Sequence, residues 1–165
     1  MPQLHALYTN VHIWQAPELK QLDVQLEANG IKMHPLSWKD YDVLDDDRDH
    51  FTWYGFTRFA TDLARLVKTW RGRTLVVSDS TIDYWNYNDA GERNSAANAY
   101  LESLHPAMLI DAACGSGFEA TRANLTDFRT RLLRHPVNRY DHILFVGGWN
   151  DIHVDQDLLK SAVKR

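Results

Sequence analysis

Ser80 closes the run Thr74-Leu75-Val76-Val77-Ser78-Asp79-Ser80, an apolar stretch that stops abruptly in Ser-Asp-Ser. A buried strand that hands a serine to a sharp turn exposes its hydroxyl where backbone N–H groups converge, the setting of a nucleophile beside its oxyanion donors. A serine alone is a weak nucleophile and needs a base within hydrogen-bond reach and a group that orients the base. His50 has a carboxylate, Asp47, three residues ahead of it. At that spacing the carboxylate can accept the Nδ1–H and leave Nε2 to face a serine, the division of labour of an acyl-transfer triad. The competing reading is a solvated acidic loop, Asp45-Asp46-Asp47-Arg48-Asp49, with His50 at a helix start. Other histidines have structural placements: His5 and His12 fall in a strand, His34, His105 and His135 adjoin prolines, and His142 begins a strand.

A developing oxyanion needs donors aimed at it. Asn150 offers a side-chain amide, and Gly115 or Gly117 a backbone N–H that no side chain obstructs. The same glycines also serve as turn formers, and Asn150-Asp151 as a helix cap. The acidic loop offers carboxylates to a metal, but no second histidine or ordered ligand spacing accompanies them, so no metal site is expected.

These groups must be positioned by regular elements. Residues 4–14 are rich in β-branched and aromatic side chains and predict a strand. Pro17 opens a helix with Leu19, Leu22 and Leu26 at helical spacing, and Asn29-Gly30 closes it as an αL cap. A short strand over 31–36 and an acidic loop over 38–49 follow. From Trp53, the residues Phe56, Phe59, Ala60, Leu63, Val67 and Trp70 recur at three- and four-residue intervals, an amphipathic helix. After the serine strand, residues 82–91 predict a loop and about 93–104 a helix. Met108 to Ala113 is the next apolar run, ending in Cys114-Gly115-Ser116-Gly117, and the helix after it places Thr121, Leu125, Phe128 and Leu132 on one face. His142 to Val146 is the last strand, ending in Gly147-Gly148-Trp149-Asn150-Asp151. A final helix carries Val154, Leu158, Ala162 and Val163.

Five short strands alternating with helices predict an α/β fold: a five-stranded parallel sheet with helices on both faces, a three-layer α/β/α sandwich. Ligands in such sheets bind beyond the carboxyl ends of the strands, where strand order reverses. All three Gly/Ser/Asn clusters fall there. The 165 residues suit a single domain, 1–165, and 44% hydrophobic with 24% charged residues is ordinary for a globular chain. A net charge of -4 disfavours nucleic acid and anionic membranes as partners. A lone Cys114 excludes an internal disulfide, and no signal peptide or spanning segment is seen, so a cytoplasmic location is the default expectation.

The residues resemble the SGNH (GDSL-type) hydrolases. Ser78-Asp79-Ser80 is similar to that family's GDS block, with Ser78 at the usual leading glycine. Cys114-Gly115-Ser116-Gly117 looks like its glycine block, with either glycine a match. Gly148-Trp149-Asn150-Asp151 matches Gly-x-Asn-Asp, and Asp47-Arg48-Asp49-His50 resembles Asp-x-x-His. The order differs: family members run serine, glycine, asparagine, then Asp-x-x-His, whereas here the last block comes first. The resemblance therefore implies a circularly permuted flavodoxin-like SGNH fold, cut between the helix after Asn150 and the strand near Leu4. This predicts Met1 and Arg165 close together. If they are distant, a homodimer that completes each site by chain exchange is expected instead.

The resemblance further implies a serine esterase with Ser80 as nucleophile, His50 as base and Asp47 as its orienting acid. The Ser80 N–H, a glycine N–H from 115 or 117 and the Asn150 amide form the oxyanion hole, and no cofactor is needed. Trp149, Tyr84, Trp85 and Tyr87 are placed to line an acyl or sugar pocket, though aromatic residues there also pack. Substrates would be small-molecule, carbohydrate or lipid esters, with short acyl groups favoured by the compact chain. A binding module that keeps the fold with little catalysis is the alternative, raised by Ser78.

Overall fold

Two apolar runs, β3 (Thr74–Ser78) and β5 (His142–Val146), are buried at all five positions, as central strands covered on both faces must be. In the computed structural model they are joined by β1 (Gln3–Leu7), β2 (Ile31–Met33) and β4 (Met108–Ala112) in one five-stranded parallel sheet, ordered β2-β1-β5-β3-β4. The structure describes residues 1–7, 24, 26–34, 41, 43, 50–83, 96–118, 126–147 and 150. Its helices are α1 (Trp53–Lys68), α2 (Ser80–Asp83), α3 (Ala96–Leu104) and α4 (Phe128–Leu132), with a 3₁₀ turn at Val137–Arg139.

Alternation along the strands divides the core into two. Leu7, Val76, Leu144 and Val146 face one side, where they pack with Phe56, Phe59 and Leu63 of α1, Ile82 of α2 and Leu101 of α3. Ala6, Leu75, Val77, Ile143 and Phe145 face the other, against Leu26, Phe118 and Phe128 of α4. Helices thus cover both faces, as the apolar pattern predicts.

Local chemistry sets the element ends. Thr52 Oγ1 accepts the Gly55 N–H at 3.0 Å and caps α1, and Arg65 and Lys68 complement its carboxyl end. Gly30 takes the left-handed conformation expected of a C′ residue, φ +77°, with its N–H donating to Glu27 O at 2.9 Å.

Several expectations are corrected. Residues 82 and 83 are helical rather than loop, because Asp79 caps α2: its Oδ1 accepts the Thr81 N–H at 2.9 Å, and Ile82 below is fully buried. The helix around Phe128 begins at that residue, because Asp127 in extended conformation caps it by accepting the Thr130 N–H at 2.7 Å; Thr121 and Leu125 lie outside the described residues. Within the acidic loop Val43 bridges Phe51, and buried Tyr41 donates its hydroxyl to Asp62 at 2.8 Å. Residues 8–14, 17–23 and 152–165, and with them the Met1–Arg165 separation, lie outside the described residues.

Counted from β3 onward around the chain, the strand order reads 2-1-3-4-5, the order of flavodoxin-like sheets. The connection leaving β3 runs to one edge at β4 and that leaving β1 to the other edge at β2. The crevice between these departures opens at the carboxyl ends of β5 and β3. No helix among the described residues is long and apolar enough to cross a membrane.

Candidate functional site

Asp79 and Ser80 follow β3 directly. Asp79 is 1% exposed; its Oδ1 accepts both the N–H and the hydroxyl of Thr81, at 2.9 and 2.7 Å, and Oδ2 receives the Asn150 amide at 3.4 Å. Ser80, next in the chain, is half-buried as the first residue of α2. The preceding Ser78 is fully buried and its hydroxyl has no hydrogen-bond partner. An orphaned buried hydroxyl keeps its full desolvation cost, so Ser78→Ala is expected to raise stability by about 1 kcal/mol in urea unfolding. A loss of stability would show that the hydroxyl is satisfied in solution.

Loop 113–117, after β4, lies alongside. Ala113 N–H donates to Ser78 O at 2.9 Å and Cys114 N–H to the buried Asp83 carboxylate at 2.7 Å, so the loop is held to both β3 and α2. Among the described residues the N–H groups of Ser80, Gly115 and Gly117 donate no hydrogen bond. Three unpaired donors therefore lie at the carboxyl ends of two neighbouring strands.

Asn150 joins the three strand ends. Its Nδ2 donates to Ser116 O at 2.9 Å and to Asp79 Oδ2 at 3.4 Å, and two acceptors facing one group fix the amide orientation. To serve an oxyanion it must exchange the longer of these bonds. At the end of β5, Gly147 packs directly on Asp79 and donates its N–H to Leu7 O at 3.1 Å.

The structure thus brings together Ser80, Gly115, Gly117 and Asn150 at one edge of the sheet. His50 is half-buried two residues before the cap of α1, and its neighbour Phe51 belongs to the same apolar cluster as Ile82 of α2. No hydrogen bond joins His50 to Ser80. Asp47, Tyr84, Trp85, Tyr87 and Trp149 lie outside the described residues. A groove of about 820 Å³ lies at the other end of the sheet, lined by Gln3, Trp70, Arg71, Tyr140 and His142; none of the candidate site residues borders it. Among the described residues no group of three or more His, Cys, Asp or Glu is arranged to hold a metal.

Sequence reasoning missed Arg131, Asp111 and His135. The Arg131 guanidinium, 1% exposed with its residue, donates to Ser78 O, Ser116 Oγ and Asp111, and His135 Nε2 lies 2.7 Å from Asp111 Oδ2. Burial pushes the Asp111 carboxyl up, but hydrogen bonds and charge from Arg131 and His135 outweigh it and hold the group below its usual value. The available signal was a carboxylate inside the apolar run Met108–Ala113. Arg131 also falls three residues after Phe128, on the buried face of α4. Comparison with family models, with characterised proteins and with solved structures finds no match for this chain.

Proposed function

We propose that the chain is a serine esterase that transfers a short acyl group to water. The observation that carries this reading is the cluster of Ser80 with three unpaired N–H donors and the Asn150 amide at the crevice where a doubly wound sheet binds ligands. Strand order supports the circularly permuted SGNH arrangement, since counting from the serine strand gives the flavodoxin-like succession.

In this scheme His50, oriented by Asp47, takes the Ser80 proton as Oγ attacks the ester carbonyl. The oxyanion forms against the Ser80 N–H, a glycine N–H of loop 113–117 and Asn150. Collapse breaks the C–O bond, His50 returns the proton to the leaving alkoxide, and water repeats the cycle on the acyl-serine. The His50–Ser80 hydrogen bond closes on substrate binding, as catalytic contacts often do.

The test is hydrolysis of p-nitrophenyl esters of graded chain length by the native chain and by Ser80→Ala, with fluorophosphonate labelling of both. Native turnover that falls more than about a thousandfold in the variant, with labelling lost, is the expected result. Labelling that persists in Ser80→Ala contradicts the nucleophile. A native chain that neither hydrolyses nor labels favours the second reading, a binding module on the same fold. The engagement of Asn150 by Asp79 and Ser116 is the observation on that side.

A further inference from the structure

Arg131 has no role in the scheme above, yet it is the largest fully buried side chain among the described residues. Its Nη1 donates to Ser78 O at 2.8 Å and to Ser116 Oγ at 3.0 Å, while Nε, at 3.2 Å, and Nη2 both donate to Asp111 Oδ1. Ser116 Oγ in turn donates to Ala113 O at 2.7 Å, so the hydroxyl is held from both sides. A buried ion pair is a weak source of stability, because apolar side chains of the same volume often do as well. What a guanidinium supplies is direction, with planar donors at set angles that a flexible ammonium lacks.

Both Nη1 bonds end on backbone that carries the site. Ser78 O immediately precedes Asp79-Ser80. Ser116 lies between Gly115 and Gly117, whose N–H groups are unpaired, and its own carbonyl accepts the Asn150 amide. One rigid fork therefore fixes the serine strand, the glycine loop and, through Ser116, the asparagine.

We propose that Arg131 is a positioning residue for the oxyanion hole, holding loop 113–117 against the end of β3 so that its donors keep a fixed relation to Ser80. The role rests on the acyl-transfer reading. It is exerted on charge that develops in the transition state, and displacing such donors by a fraction of their hydrogen-bond length lowers kcat while leaving ground-state binding largely intact.

The test uses the full chain with p-nitrophenyl acetate, comparing Arg131→Met, Arg131→Lys, Ser116→Ala and the Arg131→Met/Ser116→Ala double variant. Arg131→Met is expected to lower kcat about 10- to 100-fold with little change in KM. Ser116→Ala, which spares the ion pair, lowers kcat less, and Arg131→Lys recovers part of the loss. The double variant loses no more than Arg131→Met alone, because both changes cut one line of contacts. Fluorophosphonate still labels Ser80 in each, more slowly. Native kcat in a folded Arg131→Met or Ser116→Ala variant overturns the role, as do fully additive losses. Where Arg131→Met fails to fold, the kcat and KM of Ser116→Ala decide by the same criterion. A native chain that neither hydrolyses the ester nor labels at Ser80 overturns the acyl-transfer reading itself, and the positioning role with it.

Discussion

Gly147→Ala is expected to destabilise the fold by roughly 3 to 5 kcal/mol, against about 1 kcal/mol for Gly30→Ala. Both glycines have positive φ, +139° and +77°, so both substitutions strain the backbone. They differ in what the new methyl meets. Nothing lies within 4 Å of a Cβ at Gly30, whereas at Gly147 it would fall within 2.3 Å of Asp79 Oδ2 and 2.5 Å of the carboxyl carbon. Asp79 cannot yield cheaply, because its oxygens hold the Thr81 N–H and hydroxyl and the Asn150 amide in a buried setting. Shifting it uncaps α2 and loosens Asn150. Against a total stability of about 5 to 15 kcal/mol, that loss is large enough to leave a substantial unfolded fraction. Urea unfolding of the two variants checks it: equal losses would mean that backbone strain alone matters and that the contact with Asp79 is relaxed in solution.

That contact also marks what could be read from the chain itself. β3, β4 and β5 were legible because each is an apolar run cut off by small polar residues, and α1 because its apolar residues keep a helical period over four turns. Ser80, Gly115, Gly117 and Asn150 were legible as a group, since all four follow such runs and parallel strands bring their carboxyl ends to one edge. Pairings between distant residues were not legible. Arg131 meets Ser78 across 53 positions and Asp79 meets Asn150 across 71, and no local pattern announces either. Periodicity misleads where a cap overrides it. The spacing of Thr121, Leu125, Phe128 and Leu132 suits a continuous helix, yet Asp127 turns the backbone extended and begins α4 one residue later. The strand order belongs to neither class, because it depends on which way each crossover runs.

Lowering the pH from 6.5 toward 4 is expected to remove roughly 3 kcal/mol of stability through His5 alone. His5 is 3% exposed in β1, its ring stacked on Trp70 with centroids 3.9 Å apart. Its Nδ1 lies 2.8 Å from His34 Nε2 and its Nε2 3.1 Å from His142 Nδ1, while His142 Nε2 lies 3.1 Å from Arg71 O. A carbonyl only accepts, so His142 carries its proton on Nε2; its Nδ1 then accepts from His5 Nε2–H, and His5 Nδ1 accepts from His34 Nε2–H. The chain is complete only with His5 and His142 neutral, and Lys32 adds a further cation to the surroundings. Burial first, then the charges of His34, His142 and Lys32, push the His5 pKa down to about 4 from 6.5; burial and Lys32 lower His34 as well. Because the folded pKa lies below the unfolded one, the unfolded state binds a proton first as the pH falls through 6.5. Stability is full above that value and declines until the folded form protonates near 4. Asp111, held below its ordinary 3.8, releases its own contribution only in more acid solution, beneath this window. Nitrogen-15 NMR should find all three imidazoles protonated on Nε2 at neutral pH, and His5 in the folded protein titrating far below 6.5. His5→Phe keeps a ring on Trp70 but strands His34 Nε2–H and His142 Nδ1, so it should lower stability at pH 7 and flatten the decline toward pH 4. A native stability that stays level between pH 6.5 and 4, or a His5 that titrates near 6.5 in the folded protein, would refute the neutral chain.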